Sequence, residues 1–215
     1  MSIELILADD HAMVREGLKL VIESKGRDIK VIGEASNGRE VLNMAMKKPD
    51  VVYILDISMP VLNGIETARR LKKMDAKSKI IILSIHDTKN FVEQALQCGV
   101  KGYVLKEDAS EELVYAIRTV HMGRFFLSGK ISKYVIDGFL TKRLHDRKEV
   151  VKLTGKEREI LQLIAEGLTS KEIATRLNLS LNTAHAHRNN IMQKLDLHKQ
   201  TDLVRYAIKE GITPL

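Results

Sequence analysis

Five polar residues stand where aliphatic runs stop. Asp9 and Asp10 follow the run Ile3–Ala8, Asp56 follows residues 51–55, Ser84 follows 79–83 and Lys106 follows 102–105. Short strands of a parallel sheet that is covered on both faces deliver their carboxyl ends to one edge, where residues distant in sequence converge. Three carboxylates gathered there repel one another unless protons or a cation neutralise them. A hard divalent ion with oxygen ligands, Mg²⁺, suits Asp9, Asp10 and Asp56. Ser84 offers a hydroxyl and Lys106 a positive charge, the two groups needed to hold the oxygens of a phosphoryl group placed on a carboxylate. A carboxylate nucleophile that forms an aspartyl-phosphate is established chemistry.

The elements that must carry these residues are legible. Residues 3–8, 30–35, 51–55, 79–83 and 102–105 are short and mostly rich in branched aliphatics, as strands buried on both faces should be. Helical periods lie between them. Val14, Leu18, Val21 and Ile22 follow the first strand, Val92, Ala95, Leu96 and Gly99 the fourth, and Leu113, Ala116, Ile117 and Val120 the fifth. This alternation predicts an α/β domain with five parallel strands. Tyr53 puts a phenol in the middle of the third strand, so its hydroxyl must find a partner or reach the sheet edge. His86, two residues beyond Ser84, is expected to be a solvent-facing turn residue, with tuning of the phosphorylated state as the alternative.

Residues 153–211 change character. Four helical periods are separated by breaks at 167–169, 178–180 and 197–199, the layout of an all-α four-helix domain. Thr154 followed by Glu157 is a capping-box pattern. Thr169 or Ser170 opens a short helix through Leu177, Ser180 starts the next, and two helices joined across Asn178 and Leu179 suit a helix-turn-helix. The segment 181–195 has two faces. Ala184, Ile191 and Leu195 share one, while Asn182, His185, Ala186, Asn189 and Gln193 share the other. Amides pair with adenine, small side chains admit thymine methyls, and an imidazole reads base edges in a major groove. Lys171, Arg188 and Lys194 flank these helices as candidate phosphate contacts.

Two family resemblances rest on these residues. Over roughly residues 1–122, the acidic pair Asp9-Asp10, the segment 55–60 with Asn63-Gly64, the turn 83–87 and the segment 102–106 resemble the receiver domain of bacterial two-component response regulators. The resemblance implies a doubly wound, flavodoxin-like fold in which Asp56 is the phosphoacceptor. It also implies that Asp9, Asp10, Asp56 and the backbone carbonyl of Ser58 hold Mg²⁺, that Ser84 and Lys106 bind the phosphoryl group, and that Tyr103 is the aromatic switch. Taken alone, Tyr103 reads equally well as a core aromatic of its strand. Residues 153–161, Gly167, 171–174, Leu179-Ser180, Thr183, His187, Asn190-Ile191 and Lys194-Leu195 resemble the DNA-binding domain of LuxR-type regulators, and the pair of domains resembles the NarL/FixJ class. Thr183, His185, Ala186 and Asn189 then belong to the DNA-reading helix, and the last helix, 201–210, forms a dimer contact on DNA. Ala184, His185 and Gln200 depart from the valine, lysine and arginine usual in that family, which weakens the phosphate footprint.

Charge and composition agree with this division. The 215-residue chain carries a formal +7, of which +1 falls in residues 1–125, +3 in 126–149 and +3 in 150–215. A basic excess of that size aids association with phosphates or serves solubility. Cys98 is the sole cysteine, so no internal disulfide exists; it reads as a small buried hydrophobe in a reducing compartment. Neither an apolar run of membrane length nor a signal-like start is present, which predicts a cytoplasmic protein without a membrane partner. The expected domains are a receiver over 1–125, a linker over 126–150 and a DNA-binding domain over 151–215. In the linker, Ile131, Val135, Ile136, Phe139 and Leu140 form an apolar stripe, expected to serve an inter-domain or dimer contact, with an extra receiver helix as the alternative, followed by a charged hinge over 142–148. The expected function is non-enzymatic: a phosphorylation-controlled transcription regulator with a sensor histidine kinase, double-stranded DNA and a second copy of itself as partners. Two alternatives remain at this level. One is a DNA-binding regulator whose receiver only docks proteins. The other is an aspartyl-phosphate phosphohydrolase, which would need a second Asp where Ser58 stands.

Overall fold

A computed structural model describes residues 2–46, 50–141 and 153–213, and the chain divides into two compact units, Met1–His145 and Asp146–Leu215. In the first, strands β1 (Ile3–Ala8), β2 (Ile29–Ala35), β3 (Val52–Asp56), β4 (Lys79–Ser84), β5 (Gly102–Leu105) and β6 (Phe126–Leu127) form one parallel sheet in the order β2-β1-β3-β4-β5-β6. Parallel neighbours need crossovers, supplied by α1 (Ala12–Lys25), α2 (Gly38–Ala45), α3 (Gly64–Met74), α4 (Lys89–Gln97) and α5 (Ala109–His121). A short 3-10 turn, Lys106–Asp108, joins β5 to α5.

Strand alternation sorts the core into two layers. Leu5, Leu7, Val52, Ile54, Ile81, Leu83 and Val104 face α1 and α5, packing on Leu18, Ile22, Leu113 and Ile117. Ile6, Ala8, Tyr53, Leu55, Ile80, Ile82 and Tyr103 face the other way, against Val41, Ile65, Leu71, Val92 and Ala95 of α2, α3 and α4. Both faces are therefore covered, which is why the strands read as near-continuous aliphatic runs. Cys98 is buried in the second of these layers, and Tyr53 is almost wholly buried at 5 % exposure.

The sheet does not stop at five strands. The expected break at residue 125 falls just before β6, which pairs with β5 through Gly102–Phe126 and Tyr103–Leu127. Helix α6 (Gly129–Thr141) follows, and its Ile131 is fully buried in the layer that holds Tyr103 while Val135 packs against that layer. The start of the expected linker helix is thus part of the receiver core, because the two-residue strand β6 adds an edge that the apolar face of this helix can cover. Ile136 remains exposed. The side chains of Phe139 and Leu140 and the charged run 142–148 lie outside the described residues.

The second unit is all-helical: α7 (Gly155–Ala165), α8 (Ser170–Leu177), α9 (Leu181–Leu195) and α10 (Gln200–Lys209). Capping boxes at Thr154/Glu157 and Thr169/Glu172 start α7 and α8, and Ser180 caps α9 by accepting from the Thr183 N–H. Asn178, in the left-handed region at φ 53°, turns the chain between α8 and α9. Ile160, Leu161, Ile164, Ile173, Leu177, Ala184, Ile191, Leu203 and Ala207 form the core. Among the described residues no helix is long and apolar enough to cross a membrane.

Candidate functional site

The register of the sheet builds the acidic pocket. Ala8 lies beside Leu55 and Asp56 beside Leu83, while Ser84 lies beside Leu105. The next residues along β1 and β5, Asp9 and Lys106, therefore arrive next to Asp56. Lys106 Nζ lies 2.7 Å from Asp9 Oδ2 and 3.0 Å from Asp56 Oδ2. Asp9 and Asp56 are 1 % and 2 % exposed. Asp10 is half-buried at the rim, with His11 Nδ1 2.9 Å from its Oδ1. His11, the residue before α1, also donates its backbone N–H to Asp9 Oδ1 at 2.9 Å.

Burial dominates the electrostatics. It raises the Asp56 carboxyl above its ordinary value, with the Asp9 charge adding to the rise; Lys106 and a backbone N–H of Ser58 oppose it without winning. Burial also pulls Lys106 down, but hydrogen bonds and charges from Asp9 and Asp56 outweigh it and the ammonium is held above its usual value. Three carboxylates against one ammonium leave a formal charge of about −2, the complement of a divalent cation. Asp56 Oδ1 is buried with no hydrogen-bond partner, an orphaned acceptor of the kind a hard cation satisfies. Ligand atoms of Asp9, Asp10 and His11 lie within 4.8 Å of one another. The donor set therefore fits Mg²⁺.

The loop after β3 is tied close to this pocket. Gly64 donates its N–H to the Ile57 carbonyl at 3.1 Å, and a Cβ at Gly64 would stand 2.1 Å from the Asp56 carbonyl oxygen, so only glycine lets the backbones approach. Asn63 caps α3 by accepting from the Glu66 N–H at 2.8 Å. Ser58 turns its hydroxyl toward His86 Nε2, 3.0 Å away, and the His86 ring stacks on Phe91 with centroids 4.5 Å apart. His86 is accordingly not the solvent-facing residue that the sequence suggests. Burial lowers its pKa and the ring is neutral near pH 7. Ser84 is fully buried, and its Oγ accepts from the His86 N–H at 3.1 Å. Tyr103 is also fully buried; its hydroxyl donates to the His86 carbonyl at 2.5 Å, and burial pushes its pKa up. Sequence reading gave no role to His11 as a neighbour of the acidic pair, although its position directly after Asp10 was the available signal.

In the helical unit, α9 presents Asn182, Thr183, His185, Ala186, Asn189 and Gln193 to solvent, while Ala184 and Ile191 are buried. The two faces expected of this segment are realised. Lys171 on α8 is exposed, and Arg188 is half-buried. Lys194 is exposed, and its Nζ sits 2.7 and 2.9 Å from the two carboxylate oxygens of Glu157, the acidic member of the α7 capping box. Its charge is engaged by that carboxylate at the surface of the unit.

This geometry defines a class: an acidic pocket crossed by a lysine at the carboxyl edge of a parallel sheet, in one chain with a helix-turn-helix. The family of response regulator receiver domains matches residues 5–118, and the luxR family of bacterial regulatory proteins matches residues 151–207. The chain belongs to the two-component response regulators of the NarL/FixJ class, which bind DNA and control transcription and are not enzymes. Its relatives include the oxygen regulatory protein NreC of Staphylococcus haemolyticus, 35 % identical over 215 residues, covering 97 % of this chain and 98 % of that protein. Among solved structures, RcsB of Salmonella enterica serovar Typhimurium, bound to a promoter in the presence of the phosphomimetic BeF₃⁻, is 27 % identical with a TM-score of 0.61 over 99 % of this chain and 100 % of that one. The response regulator ChrA of a heme-sensing two-component system is 30 % identical with a TM-score of 0.53, covering 98 % of each chain.

Proposed function

We propose that Asp56 accepts a phosphoryl group from the phosphohistidine of a sensor histidine kinase, and that this controls binding of the α8–α9 helix-turn-helix to double-stranded DNA. The observation that carries the reading is Lys106 Nζ spanning Asp9 and Asp56 beside an unpartnered, buried Asp56 oxygen. An Asp56 carboxylate oxygen attacks phosphorus, the P–N bond to the kinase histidine breaks with its electron pair going to nitrogen, and the imidazole leaves neutral because its other ring nitrogen already carries a proton. Asp9, Asp10, Asp56 and the Ser58 carbonyl would hold Mg²⁺, which when bound would supply charge neutralisation at the transferring oxygens. Lys106 follows the new negative charge, and Ser84 releases the His86 N–H to present its hydroxyl to the phosphoryl group.

At the other end, His185, Ala186 and Asn189 read base edges from the major groove while Lys171, Thr183 and Arg188 contact the backbone, in two copies on paired half-sites. The protein acts in the cytoplasm, in keeping with a single cysteine that can form no internal disulfide. The test is labelling with acetyl phosphate and Mg²⁺. Wild type should incorporate one acid-stable, base-labile phosphate and Asp56→Asn none; labelling of that variant at the wild-type rate would overturn the assignment. Calorimetry adds the metal arm, in which Asp9→Ala and Asp10→Ala should each weaken Mg²⁺ binding.

A further inference from the structure

Ser128 lies beyond the matched receiver segment 5–118 and just ahead of α6, yet it is fully buried and has all of its polar groups engaged. Its N–H donates to the Tyr103 carbonyl at 3.0 Å. The Oγ accepts from the Leu105 N–H at 3.3 Å and donates to Glu112 of α5 in a short hydrogen bond. Its carbonyl accepts from the Ser132 N–H at 2.9 Å, the first turn of α6. One residue thus ties together β5, α5 and the helix that leads out of the receiver.

The strand it holds is the one that carries the pocket. Leu105 immediately precedes Lys106, and Tyr103 is bound at both ends, its carbonyl by Ser128 and its hydroxyl by the His86 carbonyl. A second tie runs alongside: Lys130 of α6 pairs with Glu107, the residue after Lys106. Ile131, fully buried beside Tyr103, completes the attachment. Any movement of Lys106 toward a phosphoryl group, or of the His86 loop as Ser84 turns, displaces groups that Ser128 and α6 bind directly. Buried hydrogen-bonded groups do not yield gradually, because losing a partner in a dry site is costly.

We propose that the Ser128–Glu112 clasp is the coupling device of this chain: it converts occupation of the Asp56 pocket into a changed attachment of α6, and through α6 sets the DNA affinity of the C-terminal unit. The inference rests on Asp56 being the phosphoacceptor. Glu112 is half-exposed, so its replacement leaves the core and the pocket residues intact.

The experiment uses the full chain and a duplex selected from a random pool by the wild type with beryllofluoride and Mg²⁺. DNA affinity is measured with and without beryllofluoride, and uptake at Asp56 is measured with acetyl phosphate. The wild-type affinity ratio should be about tenfold or more, and Glu112→Ala should bring it within about threefold of one while uptake at Asp56 holds and the chain stays folded at the assay temperature. Glu112→Gln, whose amide carbonyl still accepts from Ser128, should restore the ratio; Ser128→Ala should behave as Glu112→Ala. A wild-type ratio in Glu112→Ala, or a lost ratio not restored by Glu112→Gln, overturns the coupling. So does a wild-type ratio near one with Asp56 modified. Absence of uptake at Asp56 in the wild type overturns the phosphoacceptor reading itself and the coupling with it.

Discussion

Asp56 is held at a cost to the fold. Its folded pKa lies above the ordinary carboxylate value because burial outweighs Lys106. A carboxyl shifted in that direction contributes stability that is fully present below the unfolded pKa and is lost as pH rises through the folded one. At pH 7, without Mg²⁺, Asp56→Asn should therefore melt a few degrees higher than wild type. The gap should narrow as pH falls toward about 4, the ordinary carboxylate value, because the lost stability returns as pH drops through the folded pKa toward the unfolded one. Thermal melts at three pH values check this, and a variant less stable than wild type at pH 7 would contradict it. The residues of this pocket were legible in the sequence because each terminates an aliphatic strand, and strand ends of a parallel sheet share an edge. His86 was not. Its partners are Ser58, 28 positions earlier, and the ring of Phe91, so its environment depends on two loops meeting and leaves no periodic trace.

Elements are specified as much by where they begin as by their apolar stripes. The start of α3 depends on Gly64, whose missing Cβ lets the helix sit on the carbonyl of Asp56. Gly64→Ala should cost about 1–3 kcal/mol of stability, the range for overpacking a tight site, and slow phosphorylation by displacing Asp56. Denaturant titration together with acetyl-phosphate labelling tests both effects; a variant with unchanged stability would show that the backbone can part cheaply. The first turn of α7 is closed by Glu157, whose carboxyl is pushed up by burial but held below its ordinary value overall by Lys194 and Thr154. A depressed carboxyl adds stability that is present above its unfolded pKa and lost as pH falls through the folded one. Lys194→Ala should thus cost about 1 kcal/mol near pH 7, a figure kept small because the lysine is partly exposed, and less in acid. An unchanged midpoint in urea at pH 7 would argue against that support. Sequence patterns located α7, α8 and α9 through their caps. They missed β6, since two residues carry no alternation, and with it the reason that α6 belongs to the receiver core.

At the scale of the whole molecule, two units with separate cores divide a single task. The fold class of each was readable from its hydrophobic pattern, short aliphatic runs alternating with helical periods in one and helical periods alone in the other. The DNA face was readable only as a pattern, because an exposed amide-rich stripe looks the same on any solvated helix until its opposite face is seen to be buried. That condition is met on α9, where Ala184 and Ile191 pack inward and Asn189 and His185 do not. Base reading and phosphate anchoring then separate by their dependence on sequence and on salt. Asn189→Ala should cost about 1–3 kcal/mol on the selected duplex and relax preference at particular base pairs, while leaving a scrambled duplex nearly unaffected. Lys171→Ala should weaken both duplexes alike and reduce the slope of log K against log salt by about one unit. Lys194→Ala, with its charge engaged by Glu157, should leave that slope unchanged. Titrations of the four proteins on both duplexes across a range of salt decide among these roles. Equal losses on both duplexes for Asn189→Ala would remove α9 as the reading helix. A reduced slope for Lys194→Ala would mean that DNA draws the lysine away from the α7 cap.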